Sequence, residues 1–291
     1  MSNVSPKEGG GEKEEDHWTY TLFVNHPELF LPTLESGKEK AIAQIEGLCK
    51  IFNELGVSEG AKILDLACGI GRHSIPLAKK GYEVVGYELS PEYIKYAKKW
   101  VEMEKEEAEG RGGGGLNENK IRFYRGDIRN AAEVLSAAGE TGFNAIINME
   151  TSHGYFGEEE DNRMFKELLR IATQKSVFVV EAVSRDGLVR KFQPCGISAI
   201  SDKIVLHQIR KLNMETSEME NDWNFYEKMH DSGNLKLLLS LPIIHRVYTF
   251  YELKNALENA GWKYCLSYGN AITLEPLGID SFNMLIVSQK S

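Results

Sequence analysis

Between Ile63 and Ser90 the chain alternates apolar runs with small-residue turns: Ile63-Leu64-Asp65-Leu66-Ala67-Cys68-Gly69-Ile70-Gly71-Arg72-His73, then Val84-Val85-Gly86-Tyr87-Glu88-Leu89-Ser90. An apolar run that ends in a small-residue loop and a helix start, followed by a second apolar run closed by an acid, reads as a βαβ unit. Gly69 and Gly71 let the backbone turn tightly and approach a ligand at the amino end of the next helix, where unpaired N–H groups point outward. Glu88 lies seventeen positions beyond Gly71, near the interval of about twenty at which an acidic side chain takes the two hydroxyls of a ribose. The unit therefore suits a nucleoside-containing ligand.

Which nucleoside depends on the loop. A dinucleotide fingerprint places a third small residue three positions after the second glycine so that helix and strand pack over a pyrophosphate; that position is Ser74. A phosphate-cradling Gly-Lys-Ser/Thr is absent from the whole chain. Asp65 to Gly71 instead resembles the first motif of class I S-adenosylmethionine-dependent methyltransferases, an acid ending strand one and then Gly-x-Gly. The resemblance continues through Gly126-Asp127-Ile128-Arg129 after Ile121 to Tyr124, through Phe143 to Phe156, through Arg246-Val247-Tyr248-Thr249, and through Tyr268-Gly269 and Asn283 to Val287. It covers nearly all of the chain from Trp18. Within the class it is nearest to small-molecule enzymes, the sugar-amine N,N-dimethyltransferases and the glycine or sarcosine N-methyltransferases, whose second motif also runs Gly-x-Glu-Leu-Ser or Gly-x-Asp-x-Ser. One departure is Ala67 where many members have glycine, which a tight turn accepts if its φ is negative.

The resemblance implies S-adenosylmethionine as cofactor and assigns roles residue by residue. Asp65, Ala67, Gly69 and Gly71, with Cys68 and Arg72 in the same loop, surround the methionine part. Glu88 and Leu89 take the ribose, Asp127 and Ile128 the adenine, and Asn148 and Met149 lie beneath the sulfonium. Trp18 and Tyr20 are placed either as aromatic contacts to the sulfonium or a substrate cation, or as hydrophobic anchors. Each has a plainer reading: Asp65 caps the loop, Asp127 serves a turn, Met149 is core.

The chemistry implied is in-line attack by a nucleophile on the methyl carbon of a sulfonium, where alignment supplies about 7–11 kcal/mol of the barrier. An ammonium or hydroxyl acceptor must also lose a proton. Candidate groups are His153 and Tyr155 in the strand-four loop, beside Glu150, and His245 and Arg246 further on; both histidines also read as hydrogen-bonded structural residues. Pro194-Cys195 looks like the nucleophile dipeptide of cytosine C5-methyltransferases but falls after strand five, so Cys195 reads as a lid cysteine. The Asn-Pro-Pro-aromatic loop of amino-methylating nucleic-acid enzymes is absent, since Asn148 is followed by Met149-Glu150-Thr151. A formal charge of −9 (34 basic, 43 acidic side chains) argues against a broad grip on phosphate. The expected acceptor is thus a small molecule methylated on nitrogen or oxygen, with nucleic acid disfavoured; a methyltransferase of RNA or protein and a non-catalytic S-adenosylmethionine-binding module are the alternatives.

The expected architecture is α/β, a Rossmann-like doubly wound seven-stranded sheet carrying an inserted antiparallel β meander before the last helix. With 291 residues, 42% of them hydrophobic, one domain over 17–291 suffices. Residues 1–16, acidic and glycine-rich, read as a disordered tail, and Gly110 to Gly115 as a flexible insertion. A helix runs from Lys38 to Leu55 after an aromatic segment ending near Pro32. Short β-favouring runs around Val205–Leu212, Trp223–Tyr226 and Leu235–Leu241 place the meander, a substrate lid, within 185–248; it is also a candidate homodimer surface. Thr249 to Glu252 is a capping box for the helix ending at Gly261. Four scattered cysteines without a Cys-x-x-Cys pair suit a reducing compartment; no zinc spacing, signal peptide or membrane-length apolar run is evident, and the expected location is the cytoplasm.

Overall fold

A computed structural model describes residues 17–110, 120–229 and 233–291; the tail over 1–16 and most of the glycine-rich insertion lie outside them. The strands β1 (Lys62–Leu66), β2 (Glu83–Glu88), β3 (Ile121–Arg125), β4 (Phe143–Asn148), β5 (Ala172–Val183), β10 (Trp262–Tyr268) and β11 (Asn283–Lys290) form one seven-stranded sheet in the order β10-β11-β5-β4-β1-β2-β3. β1 to β5 are parallel, while β11 runs antiparallel to both β5 and β10. Ile63 sits level with Val84 on one side and Ala145 on the other. The strand order therefore reverses at β1, and in such sheets ligands bind beyond the carboxyl ends of the strands at that switch point.

Alternation along the strands splits the core in two. Leu64, Leu66, Val85, Tyr87, Ile146, Phe178 and Val180 face one layer, which includes Trp262 and the helices α7 (Glu158–Leu168) and α9 (Phe250–Ala260). Ile63, Val84, Ala145, Ile147, Val177 and Val179 face Ile45, Leu48, Ile51 and Phe52 of α3 (Lys38–Glu54). Strands buried on both faces read as near-continuous apolar runs. Helix ends follow local chemistry: Ser90 and Pro91 open α5 (Pro91–Gly110), the Ser90 hydroxyl accepting the Tyr93 N–H at 3.3 Å. Thr249 and Glu252 form a reciprocal capping box, and Gly261 closes α9 in the left-handed region.

Two elements differ from the sequence expectations. Pro32 does not end the N-terminal segment: α2 (Pro27–Ser36) runs through it and stops at Gly37. The meander has four strands, β6 (Cys195–Ala199), β7 (Ile204–Asn213), β8 (Glu218–Lys228) and β9 (Leu235–Arg246), in sequential antiparallel order. β6 is an exposed edge strand whose Cys-Gly-Ile-Ser-Ala is short and carries a single large apolar residue, Ile197. A bridge between Ser184 and Tyr248 closes the insertion at its base. Its inner face, with Leu206, Phe225, Leu241 and Ile243, packs on Leu22 and Leu29 of the N-terminal segment. No described helix is long and apolar enough to cross a membrane.

Candidate active site

At the switch point the ends of β1, β2, β3 and β4 surround a cavity of about 290 Å³, roofed by the N-terminal segment. Its floor brings together Ala67, Gly69, Arg72, Glu88, Leu89, Asp127, Ile128 and Met149 from the sequence-predicted cofactor set, and Tyr155 from the predicted catalytic set.

Glu88 is buried where β2 ends. Its Oε2 accepts the Gly69 N–H at 2.8 Å and its Oε1 the Ser90 N–H at 2.9 Å. An ionised carboxylate has about four lone-pair sites, so two backbone bonds orient the group and leave acceptors for the hydroxyls of a ribose. Burial raises its pKa while the backbone N–H groups of Ser90, Gly69 and Leu89 oppose the shift. Gly69, at φ +56, turns the loop so that its own N–H reaches Glu88. Ala67 also has positive φ, +58. The expectation of a negative dihedral is therefore corrected: Ala67 holds a left-handed conformation that costs an L-residue roughly 1–2 kcal/mol, imposed by the sharp exit from β1.

Asp127 ends the β3 side. Its oxygens accept from the Arg129 guanidinium at 2.9 and 2.7 Å and from the Arg129 N–H at 2.8 Å. Arg129 in turn lies 4.0 Å over the Phe156 ring, so one ion pair ties the adenine side of the cavity to its aromatic wall. At the opposite end Glu150 accepts from Arg72 at 2.6 Å and Lys40 at 2.8 Å. Burial alone would raise its pKa, but Arg72 and Lys40 hold it down at about 2. Glu150 and the next residue, Thr151, have φ of +60 and +61.

Several predicted residues are engaged elsewhere. Asp65 is buried beside the start of α4 (Ser74–Lys79), where it accepts the Ser74 hydroxyl at 2.5 Å; burial pushes its pKa up to about 7. Cys68 is buried with its sulfur against Gly86. Gly71 serves packing, since a Cβ there would press on Ile75, Ala97 and Phe123 at 3.2–3.4 Å. Asn148 is fully buried and spans neighbouring strands, donating to the Leu66 carbonyl at 3.0 Å and meeting His153 Nδ1 at 3.2 Å. Trp18 donates to the Ile244 carbonyl at 3.2 Å and packs edge-on against Tyr155, so it buttresses the cavity wall; Tyr20 also lies outside the lining.

Three of the four predicted catalytic residues likewise stand behind the wall. His153 is buried, and burial with His245 nearby lowers its pKa to about 4; burial lowers His245 to about 4 as well. Both are neutral at pH 7, and neither lines the cavity. Arg246 pins the base of the meander, bonding the Thr216 carbonyl at 2.9 Å, Glu252 at 3.0 Å and Glu158 at 3.4 Å. Cys195 is exposed on β6 with His207 Nε2 at 3.3 Å, away from the cavity. Among lining residues that sequence reasoning missed, Phe23, Phe30 and Leu34 form the roof, and Tyr93 and Ser152 the sides. Aromatic enrichment before Leu34 was the one signal for the roof; nothing in the sequence places Thr19 or Thr33 on it. Among the described residues no acidic, histidine or cysteine cluster could hold a metal ion.

Residues 63–175 match the methyltransferase domain family. Among curated relatives, the putative methyltransferase YqeM of Bacillus subtilis is 30% identical over 132 residues, 45% of this chain and 46% of that protein. The 23S rRNA (uracil(747)-C(5))-methyltransferase of Pyrococcus abyssi is 35% identical over 91 residues, 25% of this chain and 22% of its own length. The matches thus span less than half of these relatives. The sugar N-methyltransferase KedS8 of Streptoalloteichus superposes with a TM-score of 0.62 at 14% identity, covering 100% of this chain and 99% of that one. The S-adenosylmethionine-bound amino pentose methyltransferase CalS10 of Micromonospora echinaspora gives 0.56 at 15% identity, covering 93% and 98%. At such identities these two likenesses show the fold. Residues 63–175 thus match a methyltransferase domain, on a fold shared with the S-adenosylmethionine-bound CalS10.

Proposed function

We propose that this chain transfers a methyl group to an amine nitrogen of a small molecule. The observation that carries the reading is a recessed, largely apolar cavity: strand ends form its floor, and Phe23, Phe30 and Leu34 line it from the N-terminal segment, the character of a small-molecule site. The net charge of −9 points the same way. The likeness to KedS8, a sugar N-methyltransferase, and CalS10, an amino pentose methyltransferase, favours nitrogen over oxygen.

When bound, the cofactor supplies an electrophilic methyl on a sulfonium; the acceptor lone pair forms the new N–C bond as the S–C pair returns to sulfur. The chain's own part is orientation. Glu88 would hold the ribose hydroxyls, Asp127 and Ile128 would border the adenine, Gly69 would offer backbone at the loop, and Met149 would lie against the reacting end, all of them lining the cavity. Tyr155 and Phe156 exclude water along one wall, which strengthens every electrostatic contact inside. Glu150 stays ionised through the physiological range and faces the cavity from the loop after β4.

The competing reading is methylation of a uracil base in RNA, as the relative from Pyrococcus abyssi is named. That chemistry at carbon requires a thiol nucleophile beside the base, whereas buried Cys68 backs onto Gly86 and Cys195 sits on the outer meander strand. Incubating the protein with methyl-labelled cofactor and cell extract, then separating small molecules from RNA and protein, tests the choice. Label in a small basic product is expected; label confined to macromolecules ends this reading.

A further inference from the structure

Where the chain leaves β4 it takes a conformation that side chains resist. Asn148 is the last residue of β4 paired with β5, opposite Val180, and just beyond it Glu150 and Thr151 carry φ of +60 and +61. Positive φ is uncommon for any residue with a Cβ and an outlier for a β-branched one such as Thr151. Backbone of this kind persists only where its surroundings over-determine it, and it clusters at ligand clamps. Here it faces the cofactor cavity, because Glu150 lines that cavity together with its ion-pair partner Arg72.

Glu181, 3% exposed near the end of β5, holds the strained pair. Its carboxylate accepts the Glu150 backbone N–H, and its carbonyl accepts the Thr151 N–H at 3.3 Å. The Thr151 hydroxyl in turn accepts the Val183 N–H at 3.2 Å, so β5 grips both residues. The carboxylate is itself fixed: both oxygens accept from Gln44 Nε2, at 3.2 and 3.0 Å, and Oε1 accepts from Asn283 Nδ2 at 3.4 Å. Burial raises its pKa; Lys40 opposes the rise, Glu150 adds to it, and the hydrogen bonds from the Glu150 N–H and Gln44 oppose it again. Lys40, bonded to Glu150 at 2.8 Å, thus serves two carboxylates that would otherwise repel each other.

The same group reaches the other half of the ion pair. With its amide donating to Glu181, Gln44 turns its oxygen to His73, whose Nε2 lies at 2.9 Å. Burial lowers the His73 pKa to about 3, so the imidazole is neutral at pH 7 and Nε2 carries the proton it donates. His73 directly follows Arg72. Glu181 therefore acts on Glu150 through its backbone and, through Gln44 and His73, on the segment bearing Arg72, although it does not itself line the cavity. A buried network whose members are hydrogen-bonded rigidifies what it holds. What it holds is a pair of opposite charges at the end of the cavity remote from Asp127, where the amino-acid end of S-adenosylmethionine offers an ammonium and a carboxylate and a bare nucleoside offers neither.

We propose that Glu181 is a positioning residue for cofactor binding: it imposes the strained Glu150–Thr151 turn and so aims the Arg72–Glu150 pair at the amino-acid end of the cofactor. The role rests on S-adenosylmethionine as cofactor and is independent of the acceptor. Calorimetry with S-adenosylhomocysteine and with 5′-methylthioadenosine, which keeps the nucleoside and lacks the amino-acid end, tests it. Glu181→Gln is expected to weaken S-adenosylhomocysteine at least tenfold and methylthioadenosine less than twofold. In a Thr151→Gly background, where positive φ costs little, the same substitution is expected to weaken S-adenosylhomocysteine less than threefold. In the wild type, deuterium exchange at the Glu150 and Thr151 amides is expected to be at least a hundredfold slower than in a free peptide, a measurement that stands even if a variant folds poorly. Equal loss of both ligands, an unchanged S-adenosylhomocysteine affinity in folded Glu181→Gln, an undiminished loss beside Thr151→Gly, or free-peptide exchange at the two amides overturns the proposal. Absence of S-adenosylhomocysteine binding to the wild type overturns it together with the cofactor assignment. Methyl label found only in RNA, with the difference between the two ligands intact, ends the amine reading and upholds this role.

Discussion

Glu88 and Glu181 are both buried carboxylates near the ends of parallel strands, β2 and β5, with β1 and β4 between them, yet they are wired in opposite ways. Glu88 is held by backbone N–H groups of Gly69 and Ser90, nineteen and two residues away. Glu181 is held by side-chain amides of Gln44 and Asn283, 137 and 102 residues away. The first arrangement follows from one βαβ unit and comes with any chain that makes that unit. The second exists only when α3, β5 and β11 have all docked, and it can change without disturbing the turn that receives the cofactor. A carboxylate held by its own turn and a carboxylate held by long-range docking are thereby three strand spacings apart in one sheet.

The largest effect expected from this contrast is on Glu88. Glu88→Ala removes the acceptor for the ribose hydroxyls and the clasp on Gly69, and should weaken S-adenosylhomocysteine by about 2–4 kcal/mol, read by calorimetry. A loss below tenfold would erase the distinction between the two carboxylates. Asp65 sharpens it through pH. Its folded pKa of about 7 exceeds the ordinary 3.8, so between those values the unfolded chain has released a proton that the folded chain retains. The stability linked to this proton is present below about pH 4 and is lost as pH rises to about 7. Asp65→Asn, which keeps an acceptor for Ser74, should therefore gain on the wild type by on the order of 2 kcal/mol between pH 5 and pH 8, measured by urea denaturation. A constant offset would mean that Asp65 is ionised and tied to the ligand. Smallest is Ala67→Gly, which relieves a positive φ and should stabilise the fold by about 1 kcal/mol, with cofactor affinity unchanged; a melting-temperature series checks it.

The same contrast explains what could be read from the chain in advance. Apolar alternation, the Gly-x-Gly turn, the Ser-Pro helix start and the Thr-x-x-Glu cap are short-range signals, and they placed the seven-stranded sheet and the strand-end residues Ala67, Gly69, Glu88, Leu89, Asp127 and Met149. Residues whose contacts depend on distant partners are the less legible ones. Asn148 reads as a ligand group but spends its amide on Leu66 of the next strand. His153 and His245 read as proton carriers but are buried, His153 against Asn148 and Tyr248 and His245 against Tyr155, where neutral imidazole is favoured. Arg246 reads as an anion receptor but closes a staple between the meander and two helices. Glu181 sits in the run Val179-Val180-Glu181-Ala182-Val183, where strand periodicity says nothing of Gln44 or Asn283.

The aromatic roof has a kinetic consequence. A π-helical turn over Thr21–Asn25 leads into α2, and Phe23 and Phe30 from this segment close over the cavity while also touching Tyr93 and Trp223. Departure of the spent cofactor then requires the roof to lift off contacts with both α5 and the meander, and such openings often set the pace of turnover. Rapid mixing should show a fast first equivalent of methylated product followed by a slower steady rate, and trimming Phe30 to alanine should quicken the second phase while leaving the first unchanged.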